Sequence, residues 1–339
     1  MAVTLAPMTQ VTFTLSILAY TDETPKFLES SEDQELRMFG DINAQLAQLA
    51  PGWSVVWGPA LSPTRANMMY VAANSSTNEY AIAIRGTDVK DFLDLFEDLR
   101  TRQLTPYAYL DNANIANGTN EAFGILQAMT GFTDGNKDGG TTTLDAFISS
   151  VTPATLYVTG HSLGGCLSTV VAPWMAKSGG VAPANIQVYT YAAPSAGDQG
   201  FADAFNTMFD AAATPPRTYR YYNTIDVVPN AWQTLANIVS LFPQPAPPAP
   251  PEVSATVNCA LKGLPAYVQV GIENTPGVIP LAGIPTIPIT PGGGNGLTGT
   301  TWFAEAEYQH SGPNYQQLLG LEQTSSVLAK FAARAAATA

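Results

Sequence analysis

Two hydrophobic periodicities alternate along the first two thirds of the chain. Short runs rich in β-branched and aromatic residues predict strands at 53–57, 68–73, 79–84, 156–158, 186–194 and 218–222. Apolar residues at helical spacing predict helices at 9–20, 31–49, 119–131, 166–177 and 199–210. Because strands and helices alternate, the pattern indicates an α/β fold, with a mainly parallel sheet flanked by helices on both faces.

Local signals suggest where several helices begin and end. Ser31 and Gln34 form a capping-box pattern for the second helix. Thr119 or Asn120 is expected to cap the third. The periodicity near the end of the chain predicts a closing helix at about 313–336.

The composition changes after residue 242. Residues 243–252, PQPAPPAPPE, are expected to run extended, because proline cannot continue a helix or donate to a central strand. Residues 264–300 are rich in Pro, Gly, Ile and Thr and nearly free of charge, which is unlike a disordered segment. We predict an ordered Pro/Gly-rich insertion at 243–300 within a single domain, 1–339. It is either a second wall of a substrate cleft or a surface excursion without a functional role.

The charge of the chain limits its partners. A net charge of −13 argues against nucleic acid and against anionic membrane surfaces, but it does not oppose a neutral ester or an oil–water interface. The apolar run near the N-terminus is too short for stable membrane insertion, and no signal peptide is visible. The compartment stays open, and an extracellular location is favoured if the chain is a mature form.

The chain has two cysteines, Cys166 and Cys259. Cys166 follows a glycine-rich turn by one helical turn, where a small buried thiol packs well. A pairing between the two cysteines stays open.

The main candidate for chemistry is the stretch 155–177, where a predicted strand, a G-x-S-x-G turn and a predicted helix follow one another. This order is what a nucleophilic serine at a strand–helix turn requires, so Ser162 is the candidate nucleophile. The N–H of Leu163 would point to where an oxyanion forms. The alternative is a packing turn between strand and helix in which Ser162 only caps the helix.

A nucleophilic serine needs a base, and the chain offers only two histidines. His161 precedes the serine in the turn, where its side chain would point away from it. His310, in a predicted loop before the last helix, is therefore the candidate base. Asp226, just past a predicted strand end, is the candidate acid that orients the imidazole, and Asp198, which could simply cap a helix, is the second choice.

Another glycine turn follows the strand at 79–84. The backbone N–H of Thr87 is the candidate second oxyanion donor, whereas Arg85 is expected to be structural and to pair with Asp98. The acidic amphipathic helix predicted at 88–98 is either a surface helix or a short lid over the site.

A polar loop at 134–145 resembles a calcium-binding loop in its spacing. Asp134, Asn136, Asp138 and Gly139 fit that spacing, but Asp145 stands where a longer glutamate is usual. A loop of turn-forming residues is the alternative. We predict that no cofactor is required and that structural calcium is a less favoured possibility.

Four separated blocks resemble one known family, the fungal-type triacylglycerol lipases, or class three lipases, of the α/β-hydrolase fold. The blocks are AIAIRGTDVKDFLDLFEDL, VTGHSLGGCLS, YYNTIDVVP and YQHSG, in the order of that family. The resemblance implies Ser162, Asp226 and His310 as a catalytic triad, Thr87 and Leu163 as oxyanion-hole donors, and the helix at 88–98 as the lid.

The function implied is a serine carboxylic-ester hydrolase that acts on acylglycerols and touches an oil–water interface only transiently. A short-chain or feruloyl esterase with the same triad is the first alternative. The alternative of a different class is a lipid-binding protein with an inactive site.

Overall fold

The computed structural model describes residues 5–21, 24–86, 101–209, 212–243, 246–283 and 301–321. The eleven strands within these ranges are β1 Ser54–Leu61, β2 Met68–Asn74, β3 Glu79–Ile84, β4 Leu104–Pro106, β5 Asn114–Ala116, β6 Thr130–Phe132, β7 Thr141–Thr143, β8 Thr155–His161, β9 Ile186–Tyr191, β10 Thr218–Asn223 and β11 Val278–Leu281. The nine α-helices are α1 Thr9–Leu18, α2 Ser31–Leu49, α3 Asn117–Ala128, α4 Leu144–Val151, α5 Leu163–Lys177, α6 Gln199–Met208, α7 Pro251–Leu261, α8 Trp302–His310 and α9 Gly312–Leu318.

Seven strands form one sheet in the order β1-β2-β3-β8-β9-β10-β11. The pairs β1–β2 and β2–β3 are antiparallel. The remaining neighbours in this sheet, β3, β8, β9, β10 and β11, run parallel to one another. Parallel strands require crossover connections, and α5 and α6 provide two of them. The mainly parallel sheet flanked by helices is therefore confirmed.

Alternating side chains divide the sheet into two faces with separate cores. Along β8, Leu156 and Val158 join the core beneath α3 to α6, whereas Tyr157 joins the core beneath α1 and α2. Tyrosines of β9 and β10 continue the second face, and α1 binds them through hydroxyl groups. Thr12 Oγ1 lies 2.8 Å from Tyr191 Oη, and this contact fixes α1 on the sheet.

Several expected boundaries are wrong. Ser30, not Ser31, caps α2, because its backbone is extended and its hydroxyl accepts the Asp33 N–H at 3.0 Å. The third helix begins two residues before Thr119, without a side-chain cap, and it ends at Ala128 because 130–132 form β6.

Two further expectations, for residues 243–252 and 313–336, are wrong because of a proline and a glycine. The last two residues of 243–252 are helical, because Pro251 occupies the first position of α7, where no N–H is needed. The helix expected at 313–336 instead spans Gly312–Leu318. It stops there because Gly320 takes a left-handed conformation, with φ of 66°. Residues beyond 321 lie outside the described part of the chain.

The two cysteines do not pair with each other. Both are free thiols; Cys166 is buried and Cys259 is exposed. The candidate lid, Thr87 and Asp98 lie outside the described residues, as does part of the 243–300 insertion. Arg85 donates to the backbone carbonyls of Arg65 and Ala66, and its expected pairing with Asp98 stays a prediction. Among the helices that the structure describes, none is both long and apolar enough to cross a membrane.

Glu35 is a buried carboxyl group on α2. Its Oε1 accepts the Leu61 N–H at 2.8 Å, but burial outweighs this bond and raises the pKa of Glu35 to about 7. The pKa is thus higher in the folded chain than the ordinary value of 4.5. The protonated Glu35 carboxyl therefore makes its whole contribution to the free energy of unfolding below a pH of about 4.5. This contribution is lost as the pH rises through about 7.

We predict that Glu35→Gln stabilises the protein at pH 8 by on the order of 2 kcal/mol and leaves it nearly unchanged at pH 5. The amide keeps the acceptor oxygen but cannot ionise. Urea unfolding from pH 5 to pH 8 measures the effect. Glu252→Gln, at an exposed position, should keep the pH dependence of the natural protein. Equal pH dependence in the Glu35 variant would contradict the prediction.

Candidate active site

The turn after β8 holds Ser162 in a backbone conformation that non-glycine residues seldom adopt, with φ of 60° and ψ of −133°. Its N–H donates to the carbonyl of Tyr191 on β9 at 2.9 Å, and its carbonyl accepts the N–H of Gly165 at the same distance. These bonds join the turn to the next strand and to α5. The surrounding structure thus offsets the strain at Ser162.

Glycines make the close approach of β3, β8 and α5 possible. A Cβ on Gly160 would lie 2.3 Å from the carbonyl carbon of Gly164. A Cβ on Gly164 would lie 2.2 Å from the carbonyl oxygen of Ile84. Both contacts are with backbone atoms and cannot be relieved by rotating a side chain, so these two positions require glycine.

Ser162, His310 and Asp226 come together in the fold although 148 residues separate the serine from the histidine. His310 Nε2 lies 2.8 Å from Ser162 Oγ, and His310 Nδ1 lies 2.8 Å from Asp226 Oδ2. All three residues are buried. This is the hydrogen-bonding order of nucleophile, base and acid that activates a serine.

His310 is the last residue of α8, so the expectation that it lies in a loop is wrong. Asp226 does lie just past the end of β10, in a turn where its Oδ1 accepts the Val228 N–H at 2.9 Å. Asp198, the second choice for the acid, is elsewhere. It caps α6 by accepting the N–H of Phe201 and also accepts from the side chain of Asn114.

His161 holds the candidate base in place through the backbone of His310. Burial lowers the pKa of His161 well below its usual range, and the neighbouring His310 adds to this effect. The imidazole is therefore neutral, and its Nε2–H donates to the backbone carbonyl of His310 at 3.0 Å. Tyr20 fixes the same turn by donating to the carbonyl of His161 at 3.2 Å and accepting the N–H of Gly86 at 3.1 Å.

Tyr315 is a residue of the site that sequence reasoning missed. Its hydroxyl donates to Asp226 Oδ2 at 2.8 Å and accepts the backbone N–H of Asn223 at 2.9 Å. The side chain of Asn223 in turn donates to the side-chain oxygen of Gln309 at 2.7 Å. No sequence motif marks Tyr315; its position five residues after His310, on the helix that follows, was the available signal.

Leu163 is the first residue of α5, so its N–H is one of the four that have no partner within the helix. The amino end of a helix also stabilises nearby negative charge. Gly86, which precedes Thr87, lies against the same turn: a Cβ there would be 2.8 Å from the carbonyl oxygen of His161. The described residues thus bring the end of β3 beside Ser162.

Residues 134–145 comprise the turn between β6 and β7, β7 itself and the first two residues of α4. Asn136 accepts the N–H of Asp138 at 3.1 Å, and Asp145 accepts the hydroxyl of Thr143 at 2.6 Å. No cluster of three or more His, Cys, Asp or Glu side chains suited to a metal ion occurs in the described ranges. Structural calcium in this loop stays the less favoured of the two expectations.

A mainly parallel sheet with a buried serine and aspartate just past two strand ends, and a buried histidine between them, is typical of α/β hydrolases. Residues 81–235 match the sequence profile of the family Lipase (class 3). This match confirms the resemblance to the class 3 lipases drawn from the sequence, and the protein is a carboxylic ester hydrolase.

Solved structures of other lipases match this chain to different extents. The crystal structure of M37 lipase matches with a TM-score of 0.73 and 26% identity, over 92% of each chain. The Rhizomucor miehei lipase propeptide complex matches at 19% identity, over 67% of this chain and 64% of that one, with a TM-score of 0.46. Lip2 lipase from Yarrowia lipolytica matches at 20% identity, over 65% and 73%, with a TM-score of 0.44. Of these three, the match to M37 lipase supports the fold.

We predict that Gly164→Ala destabilises the protein by at least about 2 kcal/mol, because the new methyl group would overlap the carbonyl of Ile84. Urea unfolding measures the change. Gly124→Ala is the matched control: Gly124 also lies within a helix, but a Cβ there meets nothing within 4 Å. That variant should gain about 0.5–1 kcal/mol. Equal stabilities for the two variants would show that the close approach is not required.

We predict that Tyr315→Phe lowers kcat for ester hydrolysis about tenfold, because Asp226 loses a donor and orients His310 less well. It should also lower the free energy of unfolding by about 1–3 kcal/mol, since the N–H of Asn223 loses its acceptor. Tyr70→Phe removes an equally buried hydroxyl, which donates to Leu15 at 2.8 Å. That control should lose stability and keep its kcat. Full activity in the Tyr315 variant would exclude a positioning role.

Proposed function

We propose that this lipase cleaves acylglycerols through an acyl-enzyme formed on Ser162. The observation that carries the proposal is the continuous chain of hydrogen bonds from Ser162 Oγ through His310 to Asp226, with both distances 2.8 Å. A weakly nucleophilic hydroxyl needs such a base within hydrogen-bond reach.

In the first step, Ser162 Oγ attacks the ester carbonyl carbon while His310 Nε2 takes the hydroxyl proton. Asp226 keeps Nδ1 protonated and stabilises the imidazolium that forms. The negative charge that develops on the carbonyl oxygen is held by the N–H groups of Leu163 and Thr87. His310 then gives its proton to the alcohol, which leaves, and the acyl group remains on the serine.

In the second step, a water molecule attacks the acyl-enzyme. His310 takes a proton from the water, and the resulting hydroxide adds to the acyl carbonyl carbon. The bond to Ser162 Oγ breaks, the serine regains its proton from His310, and the fatty acid leaves. The proposed chemistry uses only water and the ester, so we propose that no cofactor is required and that any calcium at 134–145 is structural.

Acylglycerols are the proposed substrates because residues 81–235 match the family Lipase (class 3). Initial rates on p-nitrophenyl esters from acetate to palmitate, with and without an emulsified interface, test the acyl-chain preference. Rates that rise with chain length and increase at the interface would support the proposal. Activity confined to short, soluble esters would replace it with a short-chain esterase.

We predict that Ser162→Ala lowers kcat for p-nitrophenyl butyrate by at least about 1,000-fold and abolishes labelling by a fluorophosphonate probe. The loss of the hydroxyl removes the nucleophile but leaves the fold intact. Ser168→Ala is the control, because Ser168 lies on α5 and its hydroxyl donates to the carbonyl of Gly164 at 2.8 Å. That variant should still be labelled. Retention of most ester hydrolysis after Ser162→Ala would refute the mechanism.

A further inference from the structure

The turn at 26–29, between α1 and α2, exposes two adjacent large apolar side chains. Phe27 is 93% exposed and Leu28 is 88% exposed, and we call this pair the apolar tip. The other exposed large hydrophobic side chains among the described residues are single and about 40% exposed: Ile125, Leu261 and Ile272. Isolated apolar residues are ordinary on a surface, but two adjacent and almost fully exposed ones call for a partner.

The turn that carries the apolar tip is held rigidly. The Glu29 N–H donates to the carbonyl of Lys26 at 3.0 Å, and the N–H of Lys26 donates to the Glu29 carboxylate at 2.8 Å. Arg37 binds both oxygens of that carboxylate at 2.8 Å and lowers the pKa of Glu29 to about 2. A turn fixed in this way loses little conformational freedom when the tip binds something.

The backbone does not explain why a leucine stands in the turn. Leu28 has φ of 60°, a left-handed conformation that favours glycine or asparagine. A leucine here is unfavourable both in conformation and in exposure. This indicates that its apolar side chain binds something outside the described contacts.

The turn lies at the edge of the sheet that carries the active site. β1 runs parallel to β3, so both strands end on the same side of the sheet. The connection 62–67 between β1 and β2 therefore lies on the side where β3 ends beside Ser162. Arg65 in this connection donates to the carbonyl of Glu29 at 2.8 Å. Arg85, which follows β3, donates to the carbonyl of Arg65. The apolar tip is thus joined through two arginines to the strand end beside the nucleophile.

We propose that the apolar tip inserts into an uncharged lipid–water interface and holds the active-site edge of the enzyme against it. The proposal rests on the proposed function, in which the substrate is an acylglycerol at such an interface. The chain's net charge of −13 disfavours an anionic lipid surface but not a neutral one. A stable protein partner would need an interface of about 1,000 Å² or more, which two side chains cannot provide.

The first test compares two substrates in the double variant Phe27→Ser/Leu28→Ser. On an emulsion of trioleoylglycerol, the amount of interface needed for half-maximal rate should rise at least tenfold, because two apolar side chains no longer insert. The kcat/KM for soluble p-nitrophenyl acetate should stay the same. Ile125→Ser, a control that removes one partly exposed apolar side chain, should behave as the natural protein on both. An unchanged emulsion response in the double variant would overturn the proposal.

The second test does not depend on catalysis. All five native tryptophans are buried, at 6% exposure or less, so Phe27→Trp adds one exposed indole. In the Ser162→Ala background, phosphatidylcholine-coated trioleoylglycerol droplets should shift its emission to the blue and protect it from acrylamide. Vesicles rich in phosphatidylglycerol should do so less.

No change with the neutral droplets would exclude the proposed anchor. Protection that needs no lipid and grows with protein concentration would instead place a second copy of the chain on the tip, and would also overturn the proposal. Neither result bears on the acyl-enzyme, because failure of the proposed function would appear as soluble ester hydrolysis that survives Ser162→Ala.

Discussion

The approach of α5 to the ends of β3 and β8 is the constraint on which the rest of this structure depends. The backbone of Ile84 occupies the space that a side chain on Gly164 would need, and Gly160 likewise has no room for a Cβ. This approach brings the amino end of α5 beneath the serine and forces Ser162 into a left-handed conformation. The strain is small beside the packing of a sheet against a helix whose residues 163–175 are all buried, so this packing maintains it.

A second constraint is that the base and the acid come from distant parts of the chain and must be held to fractions of an ångström. The structure achieves this with buried polar groups, not with apolar packing alone. The Tyr315 hydroxyl joins the turn of Asp226 to α9, and His161 joins the strand β8 to the end of α8. Buried polar networks are costly when one member is missing, so each element that carries a site residue depends on the others.

The surface properties fit the proposed action on a neutral lipid phase. A net charge of −13 disfavours anionic bilayers, whereas the apolar tip would, as proposed, provide a local point of contact. The two features are complementary, because charge acts over the whole surface and apolar insertion acts only at short range. Selective attachment to an uncharged interface would follow from their combination.

The sequence by itself determined the alternation of strands and helices, the resemblance to the class 3 lipases and the glycine-rich turn around Ser162, because hydrophobic period and turn chemistry are local properties. It also singled out His310, since only two histidines exist, and Asp226, since it follows a strand. The helical position of His310 and the role of Tyr315 were decided by the tertiary structure. Those features depend on which segments meet in space, and contacts between residues 89 or more positions apart, such as Tyr315 with Asp226, leave no periodic signal in the chain.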